Sequence, residues 1–369
     1  MRELRNHQNN SRTFRWNLLL TVSAFALLGA AYKANASESD TDHPILWVEV
    51  GGQLSRLDNG EERLTPPFLK SYEKSDFVSP LPLERPPLYS IDETGKISFQ
   101  PNDSDWVLSI AVRYGRTGGN AYRHQQTNEI FPGLRTVQPT VARFRYAEAT
   151  TGHDVMHAIL DFMVGKDVGL GVFGATSTLS AGARFAQFHS KSNVGMYADP
   201  DYARSQGSGL PHKYFHNYSL RGENKASFTG IGPALSWDAS IPLLGGGRSG
   251  QITFDWNLNG AVLFGRQKSQ GSSETKGILN TGVNIPFLGF YYHTTHYTHP
   301  HSHNRSRMAA VPDVGAAAGL SFRYGAAKIS AGYRADLFFG AMDGGIDTRK
   351  SENVGFYGPF ATVSIGIGG

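Results

Sequence analysis

Nine charged residues recur at alternating positions inside runs that are otherwise apolar or small: Arg113, Asp161, Arg184, Asp238, Asp255, Asp313, Arg323, Arg334 and Asp336. Alternation assigns all of them to one face of extended segments, because successive Cβ atoms on a strand point to opposite sides. Four arginines against five aspartates is a nearly balanced set. An isolated buried charge costs several kcal/mol, and a guanidinium can bridge two carboxylates, so balance points to an internally paired network. The sharper chemistry for the same residues is a selectivity-setting ring in a narrow water-filled pore. A second concentration lies in FLGFYYHTTHYTHPHSHNRSR, with His293, His296, His299, His301 and His303. Dense imidazoles can take a divalent metal. Their irregular spacing, the intervening Pro300 and the lack of a carboxylate inside the tract leave a solvated, pH-responsive loop as the plainer reading.

An enzymatic constellation is missing from the pattern. His157 and Asp161 share a strand face, and His189, His212 and His216 fall in or beside a loop, but no nucleophile stands at a defensible spacing. The glycines are dispersed rather than gathered in a phosphate-cradling loop. Neither catalysis nor a cofactor is expected.

What must position these residues is best seen in QITFDWNLNGAVLFGR, Gln251 to Arg266. Ile252, Phe254, Trp256, Leu258, Val262 and Phe264 form one face, and Thr253, Asp255, Asn257, Asn259 and Ala261 the other. The segment is longer than the usual strand of about 5–6 residues and suits a tilted transmembrane strand of about 9–11, apolar to lipid and polar to a lumen. The pattern returns at Ile45–Leu57, Trp106–Arg116, Asp154–Gly165, Ser177–Phe188, Lys225–Ile241, Val311–Tyr324, Lys328–Gly340 and Val354–Gly368. Trp106, Tyr114, Phe188, Trp237, Phe264, Phe322 and Tyr333 fit interfacial girdles. Long polar stretches (117–152, 190–224, 268–308, 341–353) alternate with short ones (166–176, 242–250, 325–327), as extracellular loops alternate with periplasmic turns. With a partner for the first strand near Lys96–Gln100, the fold class is all-β, an antiparallel transmembrane β-barrel of about 10 strands, within about 8–12.

Composition agrees. Forty-three glycines, abundant aromatics, 18% charged residues and no cysteine suit a half-wetted sheet and exclude a disulfide framework or thiolate metal site. A net charge of +4, spread along the chain, gives no nucleic-acid footprint. Residues 1–36 are expected to be a cleaved signal peptide: Arg2, Arg5, Arg12 and Arg15 precede an apolar run from Leu18 to Ala31, and Ala34-Asn35-Ala36 supplies the cleavage site. Residues 37–104 should hold the first strand and a proline-rich loop or plug-like segment, and 105–369 the main barrel. The expected location is the bacterial outer membrane. Expected partners are outer-membrane lipid and lipopolysaccharide, periplasmic chaperones and the barrel-insertion machinery.

Three stretches carry a family likeness: HAILDFMVGKDVGLGVFG followed by STLSAGARFAQF, then SLRGENKASFTGIGPALSWDASIPL, and the closing GFYGPFATVSIGIGG. From Trp106 onward the chain resembles the Legionella-type major outer membrane protein family, porin-like barrels of Gram-negative bacteria. The resemblance implies an outer-membrane barrel with pore-forming or surface-structural roles and carries over no catalytic residue. The family's type member is cross-linked through cysteines; this chain has none, so covalent assembly is not expected. The closing strand also lacks the terminal aromatic usual for insertion, ending Ile365-Gly366-Ile367-Gly368-Gly369. The functional expectation is a narrow channel for small solutes, with a closed surface or adhesin-type barrel as the alternative.

Overall fold

Ten antiparallel strands close on themselves, each paired with its sequence neighbours and β1 with β10. The computed structural model describes residues 46–58, 88–101, 104–130, 142–168, 176–199, 212–246, 250–285, 289–344 and 349–367. The strands are β1 (Leu46–Asp58), β2 (Leu88–Phe99), β3 (Trp106–Ile130), β4 (Ala142–Asp167), β5 (Thr176–Asp199), β6 (His212–Gly245), β7 (Gln251–Ile285), β8 (Gly289–Tyr324), β9 (Ala327–Asp343) and β10 (Ser351–Ile367). The signal-peptide segment and the proline-rich stretch 59–87 lie outside the described residues. No helix among the described residues is long and apolar enough to cross a membrane; the crossing is made by strands.

Register fixes the geometry of closure. The row through Arg113 reaches β8 at Ala309 by way of β4 to β7, and at Ser321 by way of β2, β1, β10 and β9. That is a stagger of twelve residues, which tilts the strands by about 40°. Short connections gather at one end (the β4–β5, β6–β7 and β8–β9 turns) and tall hairpins at the other, which orients the barrel with the short turns in the periplasm.

The lipid face follows from alternation. Phe185, Ile231 and Phe264 sit opposite one another on β5, β6 and β7, and Leu179, Trp237 and Leu258 do so nearer the periplasm. Their neighbours Leu235, Val314, Leu320 and Ile329 are all more than half exposed, as residues solvated by acyl chains are in an isolated protein. Asn257, Asp255 and Asn259 on the other face of β7 turn inward.

Two sequence expectations change. The stretches 117–152, 190–224 and 268–308 are not mainly loop: β3 runs to Ile130, β5 to Asp199, and β7–β8 forms one hairpin from Gln251 to Tyr324. Beyond the membrane both faces of a sheet are wet, so strand continues without an apolar face to announce it. β2 is likewise twelve residues, Leu88–Phe99, rather than a short piece near Lys96. β3 to β8 thereby form a tall wall on one side of the barrel, while β9 leaves β8 after the Asp313–Phe338 pair. Gly340 makes the bend with φ +64, a conformation that suits glycine. Its amide donates to Asn353 Oδ1 at 2.8 Å, and the end of β9 folds inward with Ala341, Met342 and Asp343 buried.

Candidate functional site

Every charge assigned to the lumen by alternation lies there, and most meet partners from distant strands. Arg184 on β5 is the hub. Its Nε and Nη2 donate to Asp161 at 2.7 and 3.0 Å, and its Nη1 to Asp313 at 2.8 Å and Asn259 at 2.9 Å. One guanidinium thus ties β4, β7 and β8 to β5. Arg113 on β3 donates to Asp336 on β9 at 2.5 Å, and Arg334 approaches the same carboxylate at 3.4 Å. Asp313 and Asp336 have side chains 1% and 2% exposed, so pairing and not hydration supports them.

Nearer the periplasm the partners become hydroxyls, amides and a lysine. Asp255 takes Lys328 Nζ at 2.6 Å, Ser240 and Ser321 at 2.5 Å and Thr253 at 2.8 Å. Asp238 accepts from Asn257 and Ser236. Arg323, at the periplasmic rim, stacks over the Trp47 ring at 5.2 Å. Asp238, Asp255, Asn257, Ser236, Ser240, Ser321 and Lys328 line a periplasmic vestibule of about 420 Å³ whose roof is Arg113, Arg184 and Arg334.

Outward of that roof the lumen is apolar and filled. Phe188 (β5) packs against Phe228 (β6), Phe338 (β9) and Phe356 (β10), with ring centroids 6.2, 4.7 and 5.8 Å away. β5 and β10 stand on opposite sides of the closed order, so these contacts cross the lumen. Leu57, Val155, Leu263, Val311 and Met342 complete the layer. The four phenylalanines, Leu263 and Val311 are at most 1% exposed. This septum is the feature the sequence reading missed, and it corrects the placement of Phe188, which is not in a membrane girdle. The signal was present: Phe188 shares its parity with Arg184, which already faced inward.

A buried polar cluster abuts the septum. Ser55 and Ser90 both donate to Asp92 at 2.5 Å, and His157 Nε2 lies 3.2 Å from Asp92 Oδ2 while its ring sits 4.0 Å from Phe356. Gly115 makes the room, since a Cβ there would collide with Asp92, His157 and Ser90. The residue types resemble a hydrolase triad, but both serines bond the carboxylate rather than the imidazole. All four side chains are at most 1% exposed, which denies a substrate access. The arrangement is a structural cross-link of β1, β2 and β4.

The histidine tract lies on the tall β8 strand, above the membrane. His293, His299, His301 and His303 fall on its inward parity and His296 on the other, so the tract is split between faces. His301 and His303 have ring centroids 6.3 Å apart, and His303 Nε2 is 3.1 Å from Ser269 Oγ. Among the described residues, no three His, Cys, Asp or Glu side chains come together to hold a metal.

The sequence profile of the Legionella pneumophila major outer membrane protein precursor matches residues 101–367, from β3 through β10. The chain belongs to that family. It is therefore a protein of the bacterial outer membrane, and its β1 and β2, ahead of the matched region, close this chain's barrel. No curated protein matches. Among solved structures, the chain is similar to the translocator domain of autotransporter NalP from Neisseria meningitidis, with 12% identity over 94% of this chain and 96% of that one and a TM-score of 0.29. It is also similar to the transport unit of the autotransporter AIDA-I from Escherichia coli, with 6% identity over 94% and 98% and a TM-score of 0.26. Likenesses that loose bear no functional weight.

Proposed function

We propose that this family member is a sealed outer-membrane barrel whose work is done on its surfaces. The observation that carries the reading is the aromatic septum, stacked across the lumen on a layer of paired Arg and Asp. A small barrel has an interior just wide enough for side chains to fill, and this one is filled at that level. Water would have to enter a dry layer and break buried ion pairs together. The tall β3–β8 wall then supplies the surface that meets the outer leaflet and the exterior. The reading includes no catalytic step.

The periplasmic vestibule supports a second reading, a narrow channel for small solutes. Its Asp238 and Asp255 stand ready as pore lining once the septum parts, as hydrophobic constrictions do when they gate by dewetting. Liposome swelling in a pentose separates the two. The sealed barrel gives a swelling rate equal to that of protein-free vesicles. Rapid swelling with the wild-type protein supports the channel instead.

A further inference from the structure

Past the last lipid-facing residues of β5, β6 and β7 the outward positions turn basic. Phe185, Ile231 and Phe264 stand opposite one another at the edge of the apolar band. On the same face, Arg266 follows two residues beyond Phe264 and Lys268 four beyond, and Lys191 and Lys225 face each other on β5 and β6. At about 3.3 Å per residue and a tilt of about 40°, Arg266 and Lys268 rise about 5 and 10 Å above that edge, and Lys191 and Lys225, six residues beyond Phe185 and Ile231, about 15 Å. Lipid headgroups occupy about 5–7 Å outside the hydrocarbon, the level of Arg266, and the long lysine stems reach back toward it from above.

The local charge is not balanced. Like charges directly opposite on neighbouring strands repel. Glu223 answers both lysines, 2.5 Å from Lys225 Nζ and 3.4 Å from Lys191 Nζ, and these bonds hold its carboxyl below the usual range. Arg266 donates to Ser306 Oγ at 2.7 Å, and Lys268 has no carboxylate partner among the described residues. Asp154, on the neighbouring β4, is taken by Arg116. Of these four cations, Lys191 and Lys225 share Glu223, and Arg266 and Lys268 have no carboxylate partner among the described residues.

Further along the same face the wall holds a groove of about 1080 Å³ crossing β3 to β8. Asn120, Tyr122, Thr150, Asn193 and Glu274 line it, and Gly152 and Gly195 leave its floor bare. A Cβ at Gly195 would come within 2.8 Å of Thr150 Oγ1. Amides, a carboxylate and an exposed tyrosine ring over an open floor offer what sugar hydroxyls and apolar sugar faces bind.

We infer that this face docks a phosphorylated glycolipid of the outer leaflet. Its acyl chains lie on Phe185, Ile231 and Phe264, its phosphate is held by Lys191, Lys225, Arg266 and Lys268, and its saccharide runs into the groove. Continuity of the apolar, basic and polar zones along three strands favours a lipid over a free anion. The inference holds whether the lumen is sealed or gated.

The test uses the full barrel in phosphatidylcholine nanodiscs, titrated with rough-type lipopolysaccharide, its phosphorylated disaccharide lipid, the dephosphorylated form and inorganic phosphate. Each variant is first shown to keep heat-modifiable gel migration. Lys191→Ala/Lys225→Ala/Lys268→Ala should weaken the phosphorylated lipids about tenfold, as three exposed charge contacts of modest strength would, and leave the dephosphorylated form within about twofold. Asn120→Ala/Asn193→Ala should weaken the long saccharide only. If the triple variant fails to fold, Lys268→Glu alone, exposed and unpaired with a carboxylate, should weaken the phosphorylated lipids. Unchanged affinity in the lysine variants overturns the inference. So does inorganic phosphate displacing the lipid at equal concentration.

Discussion

Replacing Arg184 with Met tests whether the lumen is dry. Arg184 holds four acceptor contacts with Asp161, Asp313 and Asn259. Removing one partner of a buried pair costs about 3–5 kcal/mol, because the charge left behind is uncompensated. The penalty should fall unequally. Asp161 keeps a 17% exposed side chain and can recruit water, whereas Asp313 is 1% exposed and its ion pair is with Arg184. Arg184→Met should therefore lose about 3–5 kcal/mol, and Asp313→Asn added to it should restore more than half. Urea unfolding of the barrel in lipid vesicles, followed by tryptophan fluorescence, measures both. A loss below about 1 kcal/mol would put these pairs in the range of exposed salt bridges. The lumen would then be wet, and the reasoning about the sealed interior would fail.

Further outcomes follow from the same geometry. Phe254→Arg, on the lipid face, should block insertion at a cost of about 2–4 kcal/mol, whereas Asn257→Arg on the lumen face should insert; identical folding yields in vesicles would refute the inside–outside assignment. Gly115→Ala pushes a methyl into Asp92, His157 and Ser90 and should destabilise by about 1–3 kcal/mol. Gly118→Ala, whose added atom stays 3.4 Å from its nearest neighbour, should be tolerated, and equal urea midpoints for the two would show that the buried cluster yields. For the histidine tract, a tetrahedral site needs nitrogens about 2.0–2.1 Å from the ion, which rings 6.3 Å apart do not meet as placed. Calorimetric titration with Zn²⁺ should give only weak heat, and a tight isotherm abolished by His301→Ala/His303→Ala would overturn that.

Alternation alone made much of the barrel legible. The parity that put Phe254 and Leu258 in lipid also put Arg184 and Asp336 inside, since a period of two admits no other assignment once one residue is fixed. What parity cannot give is height. Arg113 and Asp336 are 223 positions apart and meet because twelve residues of stagger bring β3 and β9 level across the lumen. The septum stayed hidden for a related reason: a phenylalanine on an outward row and one on an inward row read alike unless the parity is followed to the strand's end. The tall wall was missed because the sequence signal for a strand is its apolar face, and β7 beyond Arg266 has none. Asp92 and His157 gave no local motif, and only closure of β1, β2 and β4 joins them.

The central claim is that the septum closes the lumen, and single-channel recording in planar bilayers tests it most directly. Wild-type protein should show no conductance steps, while Phe188→Ala/Phe356→Ala, which removes rings from opposite walls, should produce discrete openings. Steady openings from the wild-type barrel, unchanged by that double substitution, would contradict the account.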